Sequence, residues 1–164
     1  MIIENPINNF HYPIKRYKSQ NITSLVFFQI LEKLIEKFNT KKIKIEKDAE
    51  IILQKILREY KINIDYKKII NQFYSYLRIY ELFFKKIKPK AIFLNCYYSI
   101  PNMAAIYAAK KFKIKTIELQ HGIINNKHSA YNIPKDLGKN LFPDYLFVFG
   151  DYFKKFFNYK NFFI

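Results

Sequence analysis

The run Ile117-Glu118-Leu119-Gln120-His121-Gly122 carries the residue types best suited to chemistry in this chain. An imidazole near its neutral pKa can take a proton from a hydroxyl, and a carboxylate nearby can orient the ring and stabilise its charged form. The apolar stretch Lys115-Thr116-Ile117-Glu118-Leu119 stops at a polar pair and a glycine. A buried parallel strand ends in this way where it delivers side chains to a crevice at its carboxyl edge. The sequence holds only three glycines, so Gly122, directly after the histidine, is expected to permit a sharp turn or a close ligand approach. Glu118 and Gln120 share one face of an extended strand. His121 has no fixed relation to Glu118 from spacing alone.

Two further segments are expected at the same edge, Asn95-Cys96-Tyr97-Tyr98-Ser99 and Phe149-Gly150-Asp151. The loop after Gly122 adds His128 and Tyr131. Tyr97 and Tyr98 read as pocket walls, although tyrosine is common here (14 copies) and chance placement is a rival explanation. Cys96 reads as a small buried hydrophobe rather than a nucleophile. His128 fits a polar loop equally well without a role. Glu118, inside an apolar strand, needs a partner, and pairing with a lysine is the structural alternative to function.

The elements that must position these groups follow from hydrophobic periodicity. Residues 1–20, with Pro6, Pro13 and a basic stretch, read as an irregular arm. Residues 21–88 read as helical. Leu25, Phe28, Leu31, Ile35 and Phe38 make one apolar face, with Asn21 or Thr23 as cap. A loop or short edge strand is expected over 40–47. Asp48 is expected to cap a second helix and Asp65 a third, which Pro89 stops. Residues 89–157 then alternate: a strand over 90–96, a helix opened by Ser99 to Asn102, a strand over 114–119, a strand over 145–149, and a helix from Asp151. Strand, helix, strand over roughly 30 residues predicts a right-handed βαβ crossover. The fold class is therefore α/β: a helical first half, then a partial doubly wound, Rossmann-like parallel sheet of about three or four strands, within one domain over 1–164.

Composition narrows the setting. Lys and Arg number 29 against 13 Asp and Glu, a formal charge of +16. The lysines are spread along the chain, as codon bias and solvated helix faces produce. An anionic membrane surface or a phosphate-bearing substrate is the next explanation, and nucleic acid the weakest, since no recognition motif accompanies the charge. The single Cys96 excludes an internal disulfide. No run reaches the ~18 apolar residues of a membrane span, and the first residues lack the pattern of a signal peptide. A cytoplasmic location follows as the expectation. There is no G-x-G-x-x-G, Walker loop or G-x-S-x-G, and Cys and His do not fall at zinc spacing, so dehydrogenase, P-loop, serine-hydrolase and zinc chemistry are unsupported.

The order Glu118-Leu119-Gln120-His121-Gly122-Ile123-Ile124, then His128 and Tyr131, then Pro143-Asp144-Tyr145-Leu146-Phe147-Val148-Phe149-Gly150-Asp151-Tyr152 resembles the acceptor-side domain of GT-B glycosyltransferases of bacterial capsule and surface-polysaccharide synthesis. It is distantly similar to the glycerophosphate polymerases of teichoic acid synthesis. The likeness covers about residues 85 to 157. It implies metal-independent transfer of a sugar from a nucleotide-sugar to an acceptor hydroxyl, with no other cofactor. It makes His121 the base, supported by Glu118. Gln120, Gly122, His128, Tyr131, Asn95, Tyr97 and Tyr98 would bind substrate. It further implies a sugar or lipid-linked acceptor, peripheral contact with the inner membrane, and a second GT-B domain or a partner chain to hold the donor. The rival expectation is a truncated, non-catalytic remnant or interaction subunit completed by a partner.

Overall fold

A computed structural model describes residues 1–4, 22–38, 45–133 and 135–157. The chain divides into two compact units, Met1–Ser75 and Tyr76–Ile164, with the division inside one long helix. Among the described residues no helix is long and apolar enough to cross a membrane.

In the first unit, β1 (Ile2–Glu4) pairs in parallel with β2 (Ile22–Ser24), Ile3 opposite Thr23. This small sheet departs from the purely irregular arm and helical first half expected from sequence. Three residues per strand are too few to show an alternation against the surrounding Asn and Pro. The rest of the arm and the segment expected as a loop over 40–47, up to residue 44, lie outside the described residues. Helix α1 (Leu25–Phe38) follows β2 directly, and its first turn is held by Ser24, whose Oγ accepts from the Val26 amide at 3.2 Å. Ser24 takes the place of the expected Thr23, whose hydroxyl points to Met1 Sδ at 3.7 Å, and the expected Asn21 lies outside the described residues. Among the described side chains of α1, Phe28 and Glu32, one turn apart, are the buried ones. Helix α2 (Lys47–Glu59) begins after Glu46, which makes no side-chain cap bond; Asp48 sits inside the first turn rather than capping it. An acidic residue there still complements the partial positive charge of the helix start. Helix α3 (Tyr66–Ile87) is capped as expected: Asp65 Oδ1 accepts from the Lys68 amide at 3.0 Å.

The second unit holds the candidate site. Strands β3 (Ala91–Leu94), β4 (Lys115–Leu119) and β5 (Tyr145–Phe147) form a parallel sheet in the order β3-β4-β5. Helix α4 (Ile100–Lys111) makes the β3–β4 crossover. It starts at Ser99, whose Oγ accepts from the Asn102 amide, and Pro101 lies in its first turn, where a missing N–H costs nothing. Its Ala104, Ala105, Ala108 and Ala109 are buried, and their small side chains let the helix lie close to β4. A short α5 (Asp151–Lys154) follows β5. The mixed α/β class with a three-stranded parallel sheet is thus as expected.

Register assigns the two sheet faces. Leu94, Glu118 and Leu146 stand abreast on one face, with Thr116 and Gln120 on the same side of β4. That face builds the core with Ile106, Tyr97, Tyr131, Phe142 and Phe157. Phe93, Ile117 and Tyr145 stand abreast on the other, followed by Leu119 and Phe147. Four of these five are exposed, Phe93 to 61% and Phe147 to 54%. The strands were expected to be buried on both faces, as parallel strands usually are. Here one face is core and the other is open.

Three helices end on a lysine in the left-handed region: Lys61 after α2, Lys88 after α3 and Lys113 after α4, with φ of 51°, 50° and 57°. Glycine normally fills this position because it has no Cβ to clash. After α2 and α4 the next residue closes the end with an amide bond back to the last turn, Ile62 to Leu57 and Ile114 to Ala109, both at 2.9 Å. After α3 the next residue is Pro89, which has no amide to give, and the Lys88 amide itself bonds to Phe84 at 2.8 Å. A chain poor in glycine uses lysine at these turns at some cost in backbone strain.

Candidate active site

The site forms where β4 ends. In a fully extended strand Glu118 and His121 would point to opposite faces, being an odd number of residues apart. Gln120 breaks that alternation. Its amide bonds to the Phe147 carbonyl at 2.8 Å and prolongs the ladder, while its side-chain Nε2 turns back to donate to the Gly122 carbonyl at 2.8 Å. Its Oε1 accepts from the Phe149 amide at 2.9 Å. Both ends of a buried amide are thereby satisfied. The backbone bends at 120–122 and brings His121 Nδ1 to 4.0 Å from Glu118 Oε1.

Glu118 is fully buried, and Tyr131, equally buried, donates its hydroxyl to Oε1 at 2.5 Å. Burial pushes the Glu118 carboxyl up to about 7. The Tyr131 hydroxyl and the Tyr97 amide pull in the opposite direction without cancelling it. Glu118 Oε2 is buried and makes no hydrogen bond of good geometry among the described residues. The expected alternative, a lysine partner, is not what Glu118 has among the described residues: its neighbours there are tyrosines and histidine.

His121 keeps about a third of its side chain exposed, at 36%. Its Nε2, the nitrogen facing away from Glu118, lies 3.4 Å from the Tyr98 hydroxyl. Tyr98 is itself exposed and lies between two imidazoles, its ring centroid 6.3 Å from His121 and 5.8 Å from His128. His128 packs its ring on Tyr131 at 4.8 Å and buries Nδ1 without a partner among the described residues. The result is a line of groups from interior to surface: Tyr131, Glu118, His121, Tyr98.

The remaining sequence-derived residues fall in different places. Tyr97 was expected on a pocket wall but is buried; its hydroxyl donates to the Ala130 carbonyl and its ring packs on Tyr131 and Phe142. Tyr131 likewise offers no surface for a substrate. Gln120 is a backbone clamp rather than a free ligand group. Asn95 is exposed just past β3, which ends at Leu94 instead of Cys96 because the Cys96 carbonyl is taken by the Asn102 side chain. Gly122 is outside the left-handed region and a Cβ there would meet nothing within 4 Å, so neither the turn nor any protein contact demands glycine. Cys96, read as a core hydrophobe, is half-buried and lies beside Tyr98. Burial raises the Tyr98 hydroxyl, and the Cys96 side chain adds to that.

Sequence reasoning missed one positioning device. Asp144 Oδ2 accepts from both the amide (2.8 Å) and the hydroxyl (2.9 Å) of Thr116, and Oδ1 pairs with Lys110 at 2.8 Å. Burial alone would raise the Asp144 carboxyl, but Lys110 and Thr116 outweigh it and hold it below its usual value. One side chain thus ties the start of β5 to β4 and α4. The Pro143-Asp144 pair ahead of an apolar strand was its visible signal.

An open groove along α2, lined by Ile51, Gln54, Lys55, Arg58 and Glu59, belongs to the first unit and gathers no comparable set of groups. Comparison with protein families, curated proteins and solved structures gives no match to this chain.

Proposed function

We propose that this chain is the acceptor-binding part of a glycosyltransferase of surface-polysaccharide synthesis, with His121 as the base. The observation that carries the reading is the Glu118–His121 pair, 4.0 Å apart at the carboxyl end of a parallel strand, with the imidazole partly open to solvent. His121 Nε2 takes the proton of an acceptor hydroxyl as its oxygen attacks the anomeric carbon of a nucleotide-sugar. The bond from that carbon to the diphosphate oxygen breaks, and the nucleoside diphosphate leaves with the electron pair. The carboxylate form of Glu118 stabilises the imidazolium that results. Tyr98, exposed beside Nε2, offers an aromatic face to a sugar ring. Asn95 and His128 flank the acceptor.

The donor is a nucleotide-sugar and no further cofactor is invoked. The donor would be held by a second α/β domain or a partner chain. A cytoplasmic location at the inner membrane fits the charge of +16, which would favour lipid-linked or phosphorylated acceptors over neutral ones. The test is incubation of the protein with nucleotide-sugars and lipid-linked saccharide acceptors, reading nucleoside diphosphate release. Acceptor-dependent release, with the chain alone or after addition of an extract of its source cells to supply a donor-holding partner, supports the reading, and none under either condition overturns it.

A second reading is favoured by the open sheet face. Phe93, Leu119, Tyr145 and Phe147 form an apolar surface of the kind that a partner covers. On this reading the chain is an interaction subunit. Stable association with a second chain through that face, without transfer activity, distinguishes it.

A further inference from the structure

We propose that Tyr131 is a positioning residue: its hydroxyl fixes the Glu118 carboxyl against His121 and sustains its charged form. The inference rests on the reading of His121 as base, and it assigns Tyr131 a role that excludes substrate contact. Three observations carry it. Tyr131 is fully buried, so nothing outside the fold can touch its hydroxyl. Its hydroxyl donates to Oε1, the same Glu118 oxygen that lies 4.0 Å from His121 Nδ1. The other oxygen, Oε2, is buried without a bond of good geometry among the described residues, so the Tyr131 hydroxyl is the side-chain donor that orients this carboxyl.

The ring of Tyr131 is fixed independently of its hydroxyl. It meets Tyr97 edge-on at 5.7 Å and Phe157 at 5.3 Å, and His128 covers it at 4.8 Å. The hydroxyl therefore arrives at Glu118 already oriented, and the bond loses little rotamer freedom. A donor aimed at a buried carboxylate favours the ionised state, since the neutral acid gains less from it. The other titratable groups around this pair are Tyr97 and Tyr98 from the loop after β3 and His121 at its own strand end, which act on Glu118, and Cys96 and His128, which lie against the tyrosines. At neutral pH the tyrosines and the thiol repel rather than attract a developing carboxylate charge only if they ionise first, which burial of Tyr97 and Tyr131 opposes.

The test is the titration of Glu118 in the whole chain, followed by carbonyl-13C NMR with 13C-glutamate labelling and assigned by the signal lost in Glu118→Gln. Tyr131→Phe removes the hydroxyl and keeps the ring. The expected result is a rise of the Glu118 midpoint by roughly one pH unit. The acid limb of the transfer rate moves up by the same amount. An unchanged midpoint in a folded Tyr131→Phe protein overturns the proposal. Should that variant fail to fold, the Tyr131 Cζ shift of the parent chain decides: it follows the Glu118 titration if the bond is made, and stays flat if the proposal is wrong. A shifted midpoint with no transfer activity in either protein, even with an extract of the source cells added to supply a donor-holding partner, leaves Tyr131 as the support of Glu118 and removes the glycosyltransferase reading.

Discussion

Glu118 Oε1 and His121 Nδ1 lie 4.0 Å apart although the two residues are three positions apart at the end of a strand. A buried carboxyl and a partly exposed imidazole are joined in this way only because the chain bends between them. The bend belongs to Gln120, which uses its side chain to hold Gly122 and Phe149.

Gln120→Ala removes both of those bonds and leaves the Gly122 carbonyl and the Phe149 amide without them. The expected cost is about 2 kcal/mol of stability, measured by urea denaturation. Transfer activity falls with it, although His121 and Glu118 are intact. A variant of parental stability contradicts the clamp.

Glu118 makes stability depend on pH. Its carboxyl titrates near 4.5 in the unfolded chain and is pushed up to about 7 in the fold. The folded state therefore holds a proton that the unfolded state has lost over this window. The contribution is most favourable below the unfolded value and is lost as pH rises through about 7, a change on the order of 3 kcal/mol. Glu118→Gln keeps an acceptor for Tyr131 but cannot ionise. Its melting temperature should exceed that of the parent above about pH 7 and converge with it at acid pH. Parallel melting curves across the window contradict the buried-acid account.

The left-handed lysines give a stabilising substitution. Lys113 is exposed and sits at φ 57° where glycine is unstrained. Lys113→Gly is expected to raise stability by about 1 kcal/mol. Thermal unfolding reads this directly. Destabilisation would mean that the lysine side chain contributes more than its backbone strain costs.

The open sheet face predicts tolerance paired with a change in association. Phe147 is exposed on the edge strand β5. Phe147→Lys should change stability by less than about 0.5 kcal/mol, as exposed positions do. It should reduce self-association of the purified chain in analytical ultracentrifugation. A large loss of stability would place Phe147 in the core.

Much of the fold was legible because its signals are local. Pro89 and the short apolar runs around Ala91–Leu94 and Lys115–Leu119 marked the change from helices to strands, and Asp65 and Ser99 announced their helices. The pair β1–β2 was not legible, since each strand has three residues and the pairing joins segments far apart in sequence. Of the site, His121 and Glu118 stood out because a histidine before glycine and an acid inside an apolar strand both break pattern. Their mutual distance did not, because it depends on where the Gln120 side chain bonds. Tyr97 and Tyr131 were read as surface and are interior. An amphipathic side chain gives no sequence cue to its depth, and each buries its ring while its hydroxyl reaches an acceptor, Ala130 or Glu118.

The most direct measurement is transfer of labelled sugar from nucleotide-sugars to endogenous lipid acceptors in membranes containing the chain, comparing the parent with His121→Ala. His121 lies at the surface, so the substitution should leave the melting temperature unchanged. The account predicts at least a ~100-fold loss of transfer, the usual contribution of a general base. Equal transfer by the two proteins, or none by the parent in membranes of its source cells, which supply a donor-holding partner, contradicts it.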